Sequence, residues 1–577
     1  MSLDSASAQH GAPAHRPTAT VQAIGTRWAI SAGHPLAAEA GARVLAGGGN
    51  AIDAGVAAGI TLGVVHPDMV SVAGVAPILV HVARTGETFQ VSGVGPYPRA
   101  SSREYFLTRH GGQIPPGLPR TVVPAAPDAW CTALERWGTM SFADAAAAAT
   151  EHAARGFPVS AFSAYQMGSN VEKYKRWPSS VALYLRDGRA YRMGEVLVQK
   201  ELADTLARMA VAEKRAGGSR AAGVRAARDE FYRGETAGRI AEFHRANEGP
   251  LTAADLADFS VEVGPALRTT FGAYEVAACG FWCQGPSLLQ MLNMLEGVDL
   301  VGLGHNSPAY LHRLIETVKL AFADRDAYYG DPNFVKVPAD RLLSKAYAAT
   351  RRELVRERAW KEMPPAGEAA ERREVLPLAG GSDALDTSYV AVVDAEGNGF
   401  SATPSDPNVD SPAVSGVGCV VSPRGSQGWL DPAHASVVAP GKRPRLTPAP
   451  AMAFTGGKLL MPFGTPGGDV QQQAMLQVFL NTTVWGMSLQ EAIEAPRLAS
   501  RSFPDSFWPH AYSPGKVEAE RRLPRDTRDG LVALGHDVLD WPEWEWRAGA
   551  VCGVKIGPEG TRWGGADPRR GALSIAR

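Results

Sequence analysis

The feature that most constrains the fold is a break in pattern about two-thirds of the way along the chain, followed by a buried strand. Residues 360–386 contain a Pro-Pro step, a charged run and a Gly-Gly-Ser step, which together indicate an exposed connector. Residues 387–394 then form an apolar, β-branched segment that is typical of a buried strand. A turn at 395–399 and a returning segment at 400–405 predict a β-hairpin with Thr387 at its mouth.

Strand-like and helix-like segments occur on both sides of this hairpin. The predicted strands are 28–32, 78–82, 88–92, 261–276, 418–421, 451–454, 459–461 and 551–556. The predicted helices are 35–46, 51–65, 126–155, 201–243, 308–329 and 469–485. The Ala/Gly surface of the 51–65 helix predicts close packing against a sheet. Because helices and strands are mixed in both parts of the chain, we expect a layered arrangement of sheets covered by helices.

Length and charge favour a soluble protein with a small ligand. A chain of 577 residues and 61.1 kDa can bury a large core. From its length alone, about four domains are expected. The 58 basic and 59 acidic residues nearly cancel, for a formal charge of −1. No basic field is available to attract nucleic acid or anionic lipid. We therefore expect neither nucleic acid nor a membrane as a partner.

The N-terminal region and the cysteines bear on the compartment. Residues 1–26 are rich in Ala, Ser, Pro and His, which predicts a disordered tail. They lack the apolar region of a secretory signal, so no such signal is predicted. The longest apolar stretch, 54–65, is too short to cross a bilayer of roughly 30 Å. The five cysteines are odd in number and scattered, and the Cys279–Cys283 pair lacks the further ligands of a zinc site. A cytoplasmic location is predicted.

The common catalytic and nucleotide-binding motifs do not occur in the sequence. There is no G-x-S-x-G elbow, no H-E-x-x-H and no phosphate loop with its lysine. Residues 463–469 include two consecutive glycines, Gly467 and Gly468, before a predicted helix. Such glycines can point successive backbone N–H groups at one anion, such as the oxyanion of acyl transfer. An ordinary loop at a helix start remains the alternative for this stretch.

Thr387 acts as a nucleophile only if a base deprotonates its hydroxyl, and otherwise it is an ordinary strand-edge residue. No His or Lys lies within several residues. If the bond between Asp386 and Thr387 were cut, however, the new α-amino group would lie beside the hydroxyl. Its ordinary pKa of about 7.7–8.0 lets such an amine act as the base. The connector that precedes Thr387 gives the severed end room to move.

Residues 387–398 resemble the nucleophile segment of the γ-glutamyltranspeptidase family of N-terminal nucleophile hydrolases. The segments 31–37 and 48–54 resemble the N-terminal signature of the same family. Further matches occur at 441–444, 464–468 and 565–569. Because these motifs follow one another in the family's order, from about residue 27 to the end, the chain is identified as a divergent member.

The resemblance implies an α+β fold, a four-layer αββα sandwich made as one precursor. The precursor would cut itself between Asp386 and Thr387. The large subunit would span 27–386 after the tail, with its exposed linker at 360–386, and the small subunit would span 387–577. The resemblance leaves open whether two such heterodimers associate into a dimer. Thr387 would be the nucleophile that forms an acyl-enzyme, Ser405 would orient it, and Gly467 and Gly468 would form the oxyanion hole. No metal or organic cofactor is implied.

The residues that bind a γ-glutamyl group in the family do not carry over. The family uses an arginine for the α-carboxylate, a Ser-Ser pair and an acidic residue for the α-amino group. At the corresponding places this sequence has no arginine, no Ser-Ser pair and no acidic residue. The candidate substrate-binding residues at or near these places are Val94, Pro407, Asn408, Ser426, Trp429, Leu446 and Thr447. Asn408 is included because a one-residue shift would bring it to the family's asparagine position. Each charge-assisted hydrogen bond that is lost is worth about 1.5–3 kcal/mol.

Three hypotheses about function follow. The favoured one is hydrolysis of an amide that carries a small acyl group less zwitterionic than glutamyl. For it, relatives that cut oxamate-like or cephalosporin side-chain amides are closer models than those that cleave glutathione. The second is a true γ-glutamyl transpeptidase or glutathione hydrolase with substitute contacts. The third is a specialised member of secondary metabolism that cleaves another acyl bond or a C–C bond, or an inactive scaffold.

Overall fold

The computed structural model describes residues 18–367 and 387–577, and its strands and helices are numbered in chain order. The strands are β1 Ala23–Gly25, β2 Ala29–Ala32, β3 Ile78–Val82, β4 Glu87–Val91, β5 Phe157–Pro158, β6 Val196–Leu197, β7 Val263–Pro265, β8 Leu267–Phe271, β9 Tyr274–Ala278, β10 Val390–Val393, β11 Gly399–Ala402, β12 Ala413–Val414, β13 Cys419–Val420, β14 Ala451–Thr455, β15 Lys458–Gly464, β16 Leu498–Ser500, β17 Lys516–Glu520, β18 Asp537–Trp541, β19 Cys552–Ile556, β20 Arg562–Ala566 and β21 Leu573–Ala576.

Most helices precede the hairpin. They are α1 Pro35–Ala46, α2 Ala51–Val65, α3 Arg103–Arg109, α4 Ala126–Trp137, α5 Phe142–Arg155, α6 Ala161–Ser169, α7 Val171–Tyr174, α8 Pro178–Tyr184, α9 Lys200–Ala216, α10 Arg220–Arg233, α11 Glu235–Ala246, α12 Ala253–Ala257, α13 Gly285–Leu295, α14 Leu300–Leu303, α15 Pro308–Tyr328, α16 Ala339–Leu342, α17 Lys345–Arg352, α18 Gln471–Thr483, α19 Leu489–Glu494 and α20 Arg525–Ala533. No helix of the described ranges is both long and apolar enough to cross a membrane.

Two large antiparallel sheets contain most of the strands. The first, called the β10 sheet, has the strand order β21-β2-β10-β11-β3-β4-β7. The second, called the β15 sheet, has the order β1-β20-β19-β15-β14-β9-β8. The predicted hairpin is confirmed, since β10 and β11 pair in register from Val390 with Ala402 to Val393 with Gly399.

The side chains of β10 alternate between two apolar clusters, as the period of two in a strand requires. Ala391 and Val393 belong to a cluster that also contains residues of β9, β14, β15, β19 and β20, so it fills the space between the sheets. Val390 and Val392 belong to a cluster with helix residues of α1, α2, α4, α5 and α9. A third cluster packs α13, α15, α18 and α19 on the β15 sheet.

Helix α2 shows how small residues bring a helix close to a sheet. Asn50 caps the helix, and Asp53 completes the capping box from the N3 position. Gly55 then contacts the ring of Phe400 in β11, and a Cβ at Gly55 would lie 2.1 Å from that ring. The predicted close packing of this helix on a sheet is therefore confirmed.

Most remaining predicted elements differ at their ends, but the predicted 126–155 helix is two helices, α4 and α5, separated after Gly138. The 308–329 helix is confirmed as α15, whereas the 201–243 region is three helices because glycines interrupt it at Gly217 and Gly234. The 261–276 region is three strands. Residues 368–386 of the predicted connector lie outside the described residues, and its described end is held where the Gly367 N–H donates to Asp324 Oδ1 at 3.1 Å.

Glycine at 464 is required by the ring of Tyr389, and this requirement can be tested. A Cβ at Gly464 would lie 2.3 Å from the Tyr389 ring, whose hydroxyl is already bonded to Ser401. We expect Gly464→Ala to lower stability by about 1–3 kcal/mol through overpacking, measured as a lower midpoint of thermal unfolding. Gly264→Ala is the control, because no heavy atom lies within 4 Å of its Cβ position in β7. Equal midpoints for the two variants would contradict the packing argument.

Candidate active site

Thr387 and Ser405 face each other at the open end of the β10–β11 hairpin. They form an isolated antiparallel bridge beyond the last strand residues, and Thr387 Oγ1 lies 2.8 Å from Ser405 Oγ. Both residues are buried. The backbone on either side is fixed, since Ser388 N–H donates to the Pro404 carbonyl at 3.0 Å and Gly33 N–H donates to the Tyr389 carbonyl at 3.0 Å. The hairpin geometry therefore brings two hydroxyls into direct contact.

A buried arginine, Arg424, donates a hydrogen bond to this hydroxyl pair. Arg424 begins a 3₁₀ turn at Arg424–Gln427 and is fully buried. Its Nη2 donates to Ser405 Oγ and its Nε donates to Asp406 Oδ1. Its Nη1 donates to Thr447 Oγ1 at 3.2 Å. The hydroxyl next to Thr387 thus accepts a hydrogen bond from a permanent cation, which a buried carboxylate balances.

The glycine loop, which contains Gly467 and Gly468, follows β15. Gly467 has φ +127° and Gly468 has φ +56°, values that favour glycine. In the described part of the chain, their N–H groups donate to no protein acceptor. Gln284 Nε2 connects the loop to the arginine network by donating to the Gly468 carbonyl at 2.9 Å and to the Thr447 carbonyl at 2.8 Å. This arrangement leaves two adjacent donors available to an anion.

A second buried ion pair supports the glycine loop. Asp469 accepts from Arg325 Nη1 and from the N–H and hydroxyl of Ser506 at 2.8 and 2.6 Å. Burial alone would raise the pKa of Asp469, but Arg325 and Ser506 outweigh burial and hold this pKa below its usual range. Arg325 Nη1 also donates to Gln284 Oε1 at 2.9 Å. The loop that carries the two free N–H donors is therefore anchored by charge.

Among the predicted substrate-binding residues, Thr447 is bonded to Arg424, whereas Val94 and Leu446 lie in an apolar cluster. Thr447 Oγ1 accepts from Arg424 and, at 3.1 Å, from Gln427. Val94 and Leu446 are buried in the cluster between the sheets. Val94 also borders a cavity of about 240 Å³. Their predicted role in an apolar pocket stays a prediction.

The other predicted positions follow along the same part of the chain. Asn408 Oδ1 accepts from the Tyr174 hydroxyl at 2.6 Å, and Pro407 is buried beside it. The Ser426 carbonyl accepts from the Trp508 N–H at 2.7 Å. The Trp429 ring stacks between His434 and His510, with centroid distances of 4.1 and 3.7 Å. Asp386, the other half of the predicted cleavage site, lies outside the described residues.

Two charged residues at the site, Asp406 and Arg424, were missed by sequence reasoning. Asp406 directly follows Ser405, and Arg424 lies two residues before Ser426. Comparison with the family's positions alone gave no reason to select either one. The sequence did offer one local signal. Each of the two residues is a charged residue in an otherwise uncharged stretch next to a predicted site residue, and two such residues are candidates for a buried ion pair.

One cluster in the described ranges has the geometry of a metal site, and internal bonds account for it. The ligand atoms of His312, Glu316 and His536 lie within 4.8 Å of one another. His312 Nδ1 is 2.8 Å from His536 Nε2, and Lys319 Nζ donates to Glu316 at 2.8 Å. Burial, with nearby Lys319 and His312, lowers the pKa of His536 to about 2. The histidine–histidine bond and the lysine already use the atoms that a metal would need.

Comparison with known proteins identifies the family. The γ-glutamyltranspeptidase family model matches residues 37–576. The chain belongs to the γ-glutamyltranspeptidase family. Its relatives include the acylase ACY 1 proenzyme of Pseudomonas sp. (strain SE83), which is 33% identical over 567 residues, 96% of this chain and 94% of the relative. The glutathione hydrolase-like YwrD proenzyme of Bacillus subtilis (strain 168) is also 33% identical, over 96% of this chain and 99% of the relative.

A solved structure of the same family supports the fold. The crystal structure of cephalosporin acylase from Bacillus halodurans is similar with a TM-score of 0.85 and 28% identity, and the match covers 98% of each chain. The predicted membership of a divergent chain in the γ-glutamyltranspeptidase family is thus confirmed. As a member, this chain is an enzyme of the amidohydrolase and acyltransferase type.

The Arg325–Asp469 pair predicts how stability depends on pH. Because the folded pKa of Asp469 is lowered, the pair stabilises the fold above the unfolded pKa of about 3.9 and loses this effect as pH falls through the folded pKa. We expect Asp469→Asn to cost about 3–5 kcal/mol at pH 7 by leaving Arg325 unpaired. The loss is measured as a lower midpoint of thermal unfolding.

The difference between wild type and Asp469→Asn should narrow below about pH 4, because there the Asp469 carboxyl binds a proton in the unfolded chain before it does so in the folded protein. Asp258→Asn is the control, since its side chain and that of its partner Arg99 are 64% and 61% exposed and an exposed pair contributes little. A difference that stays constant down to pH 3 would refute this role of Asp469.

Proposed function

We propose that this member of the γ-glutamyltranspeptidase family cuts its own chain between Asp386 and Thr387 and then hydrolyses an amide of a small, non-γ-glutamyl acyl group. The observation that carries the proposal is the buried contact of 2.8 Å between Thr387 Oγ1 and Ser405 Oγ. A threonine at the end of a central strand, bonded to a second hydroxyl, in a chain whose glycine loop offers two adjacent N–H donors, has the parts needed for acyl transfer.

Self-cleavage uses the hydroxyl of Thr387 as an intramolecular nucleophile. Thr387 Oγ1 attacks the carbonyl carbon of Asp386, the Asp386–Thr387 amide bond breaks, and an ester to Thr387 Oγ1 replaces it. The proton of the hydroxyl passes to the released α-amine. Water then hydrolyses the ester, which frees the Asp386 carboxylate and leaves Thr387 as an N-terminus.

The mature enzyme repeats this chemistry on its substrate. The α-amine of Thr387 takes the hydroxyl proton while Oγ1 attacks the substrate carbonyl. The N–H groups of Gly467 and Gly468 hold the oxyanion, and the leaving amine departs with the proton. Water attacks the acyl ester, with the α-amine again as base, and regenerates Thr387. Ser405 orients Oγ1 through both stages.

The acyl group is proposed to be polar but not an α-amino acid. Similarity to proteins named acylase ACY 1 and cephalosporin acylase supports an acylase. In the described residues, buried hydroxyls close in sequence to Ser405 and Arg424 have no protein partner, among them Thr403 Oγ1 and Ser426 Oγ. Each such atom costs about 1–3 kcal/mol unless a ligand or water satisfies it. A purely apolar acyl group would leave them unsatisfied.

Hydrolysis of a γ-glutamyl amide is the second candidate, and one observation favours it. Asp406 Oδ2 is buried without a protein partner in the described ranges, and a substrate ammonium group would satisfy it. Similarity to the glutathione hydrolase-like YwrD proenzyme points the same way. The first candidate remains preferred because Arg424, the cation nearest the hydroxyl pair, already donates to three protein acceptors.

The proposal includes the organisation of the mature protein. Helices outside each sheet and an apolar cluster between the sheets support the four-layer αββα sandwich. Residues 27–386 would form the large subunit and residues 387–577 the small subunit, held together by strand pairs such as β2 with β10. Five buried cysteines with free thiols are compatible with the cytoplasm.

Self-cleavage should be visible on a denaturing gel. We expect wild type to give two bands, residues 1–386 and 387–577, and Thr387→Ala to give one uncut band because its hydroxyl is absent. Ser388→Ala is the matched control, since its buried hydroxyl has no protein partner in the described residues, and it should still be cut. N-terminal sequencing of the smaller band should begin at Thr387. An uncut wild-type band would contradict the mechanism.

The two candidate substrates can be separated by chromogenic amides. We expect p-nitroaniline to be released from simple acyl and dicarboxylic mono-anilides with a kcat/KM at least about tenfold above that for γ-glutamyl-p-nitroanilide. The physical reason is that an α-ammonium and an α-carboxylate need charge-assisted partners, each worth about 1.5–3 kcal/mol. Higher kcat/KM for the γ-glutamyl compound would establish the second candidate instead.

A further inference from the structure

We propose that Arg424 is a positioning residue that fixes the Ser405 hydroxyl so that its proton is donated to Thr387 Oγ1, with Asp406 holding Arg424 in place. The inference rests on the proposed function of Thr387. Arg424 and Asp406 are both fully buried, and Arg424 Nη2 donates to Ser405 Oγ. Ser405 Oγ in turn contacts Thr387 Oγ1 at 2.8 Å.

The direction of the chain of hydrogen bonds follows from counting protons. A guanidinium only donates, so Ser405 Oγ accepts from Arg424. The Ser405 proton is assigned to Thr387 Oγ1, which lies 2.8 Å from Ser405 Oγ. When Thr387 Oγ1 gives its own proton to the α-amine, it becomes an acceptor, and Ser405 is placed to donate to it. Charge-assisted donation by Arg424 makes the Ser405 proton a stronger donor to the developing alkoxide.

A serine at position 405 needs such an anchor more than a threonine does. Threonine is β-branched and has few χ1 states, whereas serine rotates more freely. The family resemblance places a threonine here. Arg424 supplies the restraint that the missing methyl group would supply, because its bond to Ser405 Oγ is compatible with one hydroxyl direction. This predicts that Ser405→Thr compensates in part for loss of Arg424.

Asp406 is held in an unfavourable backbone conformation that serves the same contact. Its φ is +96°, which lies beyond the left-handed helical range that aspartate and asparagine sometimes adopt and is favourable only for glycine. In this conformation its carboxylate turns back to Arg424 Nε, one residue after Ser405. A buried arginine without a carboxylate would be strongly unfavourable. The strained backbone thus keeps the cation paired and directed at Ser405.

The pair also sets the charge near the Thr387 α-amine. Arg424 and Asp406 balance each other, and the Asp469–Arg325 pair below the glycine loop is balanced as well. Arg445 lies beside Arg325 as a further cation. His34 follows the Gly33–Tyr389 contact, and burial lowers the pKa of His34 to about 3, so it is neutral. Removing one charge of the Arg424–Asp406 pair should therefore shift the pH dependence of the amine.

Kinetics of four variants test the inference, with p-nitroanilide hydrolysis and the two-band gel as readouts. Arg424→Gln should lower kcat about tenfold or more while KM changes less than about twofold, because the group acts through Ser405. Adding Ser405→Thr to it should recover kcat by about threefold or more. Asp406→Asn keeps the geometry but leaves a net positive charge, so it should move the acid limb of the pH–rate profile about one unit lower.

Arg228→Gln is the matched control, since Arg228 is a largely buried arginine of α10 paired with the buried Asp128 of α4, and its hydrogen bonds do not involve Ser405 or the glycine loop. It should lower the midpoint of thermal unfolding while leaving the pH–rate profile and kcat of the folded enzyme near wild type. An equal loss of kcat in both arginine variants would overturn the inference, as would a change in KM alone or an unshifted profile for Asp406→Asn. A wild type that neither cuts itself nor turns over any anilide would overturn the proposed function and this inference together. An active wild type with an unaffected Arg424→Gln would overturn only the inference.

Discussion

The hydrogen bond between Thr387 and Ser405 depends on the hairpin and on both sheets. The two hydroxyls meet because β10 and β11 continue as a bridge beyond their last regular residues. Tyr389, two residues from Thr387, places its ring against Gly464 of the other sheet and its hydroxyl on Ser401 at 2.5 Å. That contact sets the separation between the hairpin and the glycine loop. The spacing between the Thr387 hydroxyl and the glycine loop therefore depends on how the sheets pack.

The charged side chain of Arg424 is separated by one hydrogen-bonded hydroxyl from Thr387 Oγ1, the atom proposed to react. The groups proposed to touch substrate are hydroxyls, an amine and backbone N–H donors. Behind them lie two buried Arg–Asp pairs, one that contacts Ser405 and one that anchors the glycine loop. Gln284 and Thr447 connect the two pairs. A buried pair contributes little net stability when complete but is costly to break, so these pairs act as rigid supports whose geometry is strongly specified.

Periodicity and turn chemistry predicted the hairpin, helix α15 and the close packing of α2, because each depends on residues near one another in the chain. The same reasoning placed Thr387 at the open end of the hairpin and the two glycines before a helix, whereas the family resemblance selected Ser405; their catalytic roles stay predictions. It missed Arg424 and Asp406 because their contact joins residues 18 positions apart through a loop whose path no local pattern determines. It also merged α9, α10 and α11 into one helical region, since amphipathic spacing continues across the glycines that separate them.

Catalysis and recognition lie on different segments, but Arg424 joins them. The hairpin and the glycine loop carry the proposed hydroxyl pair and backbone donors, whereas the predicted substrate-binding residues other than Val94 lie between 407 and 447. Arg424 lies within that segment and yet donates to Ser405. A substitution that moves the 3₁₀ turn at Arg424–Gln427 would therefore alter the nucleophile as well as the pocket. This coupling limits which new acyl groups the loop can accept without loss of rate.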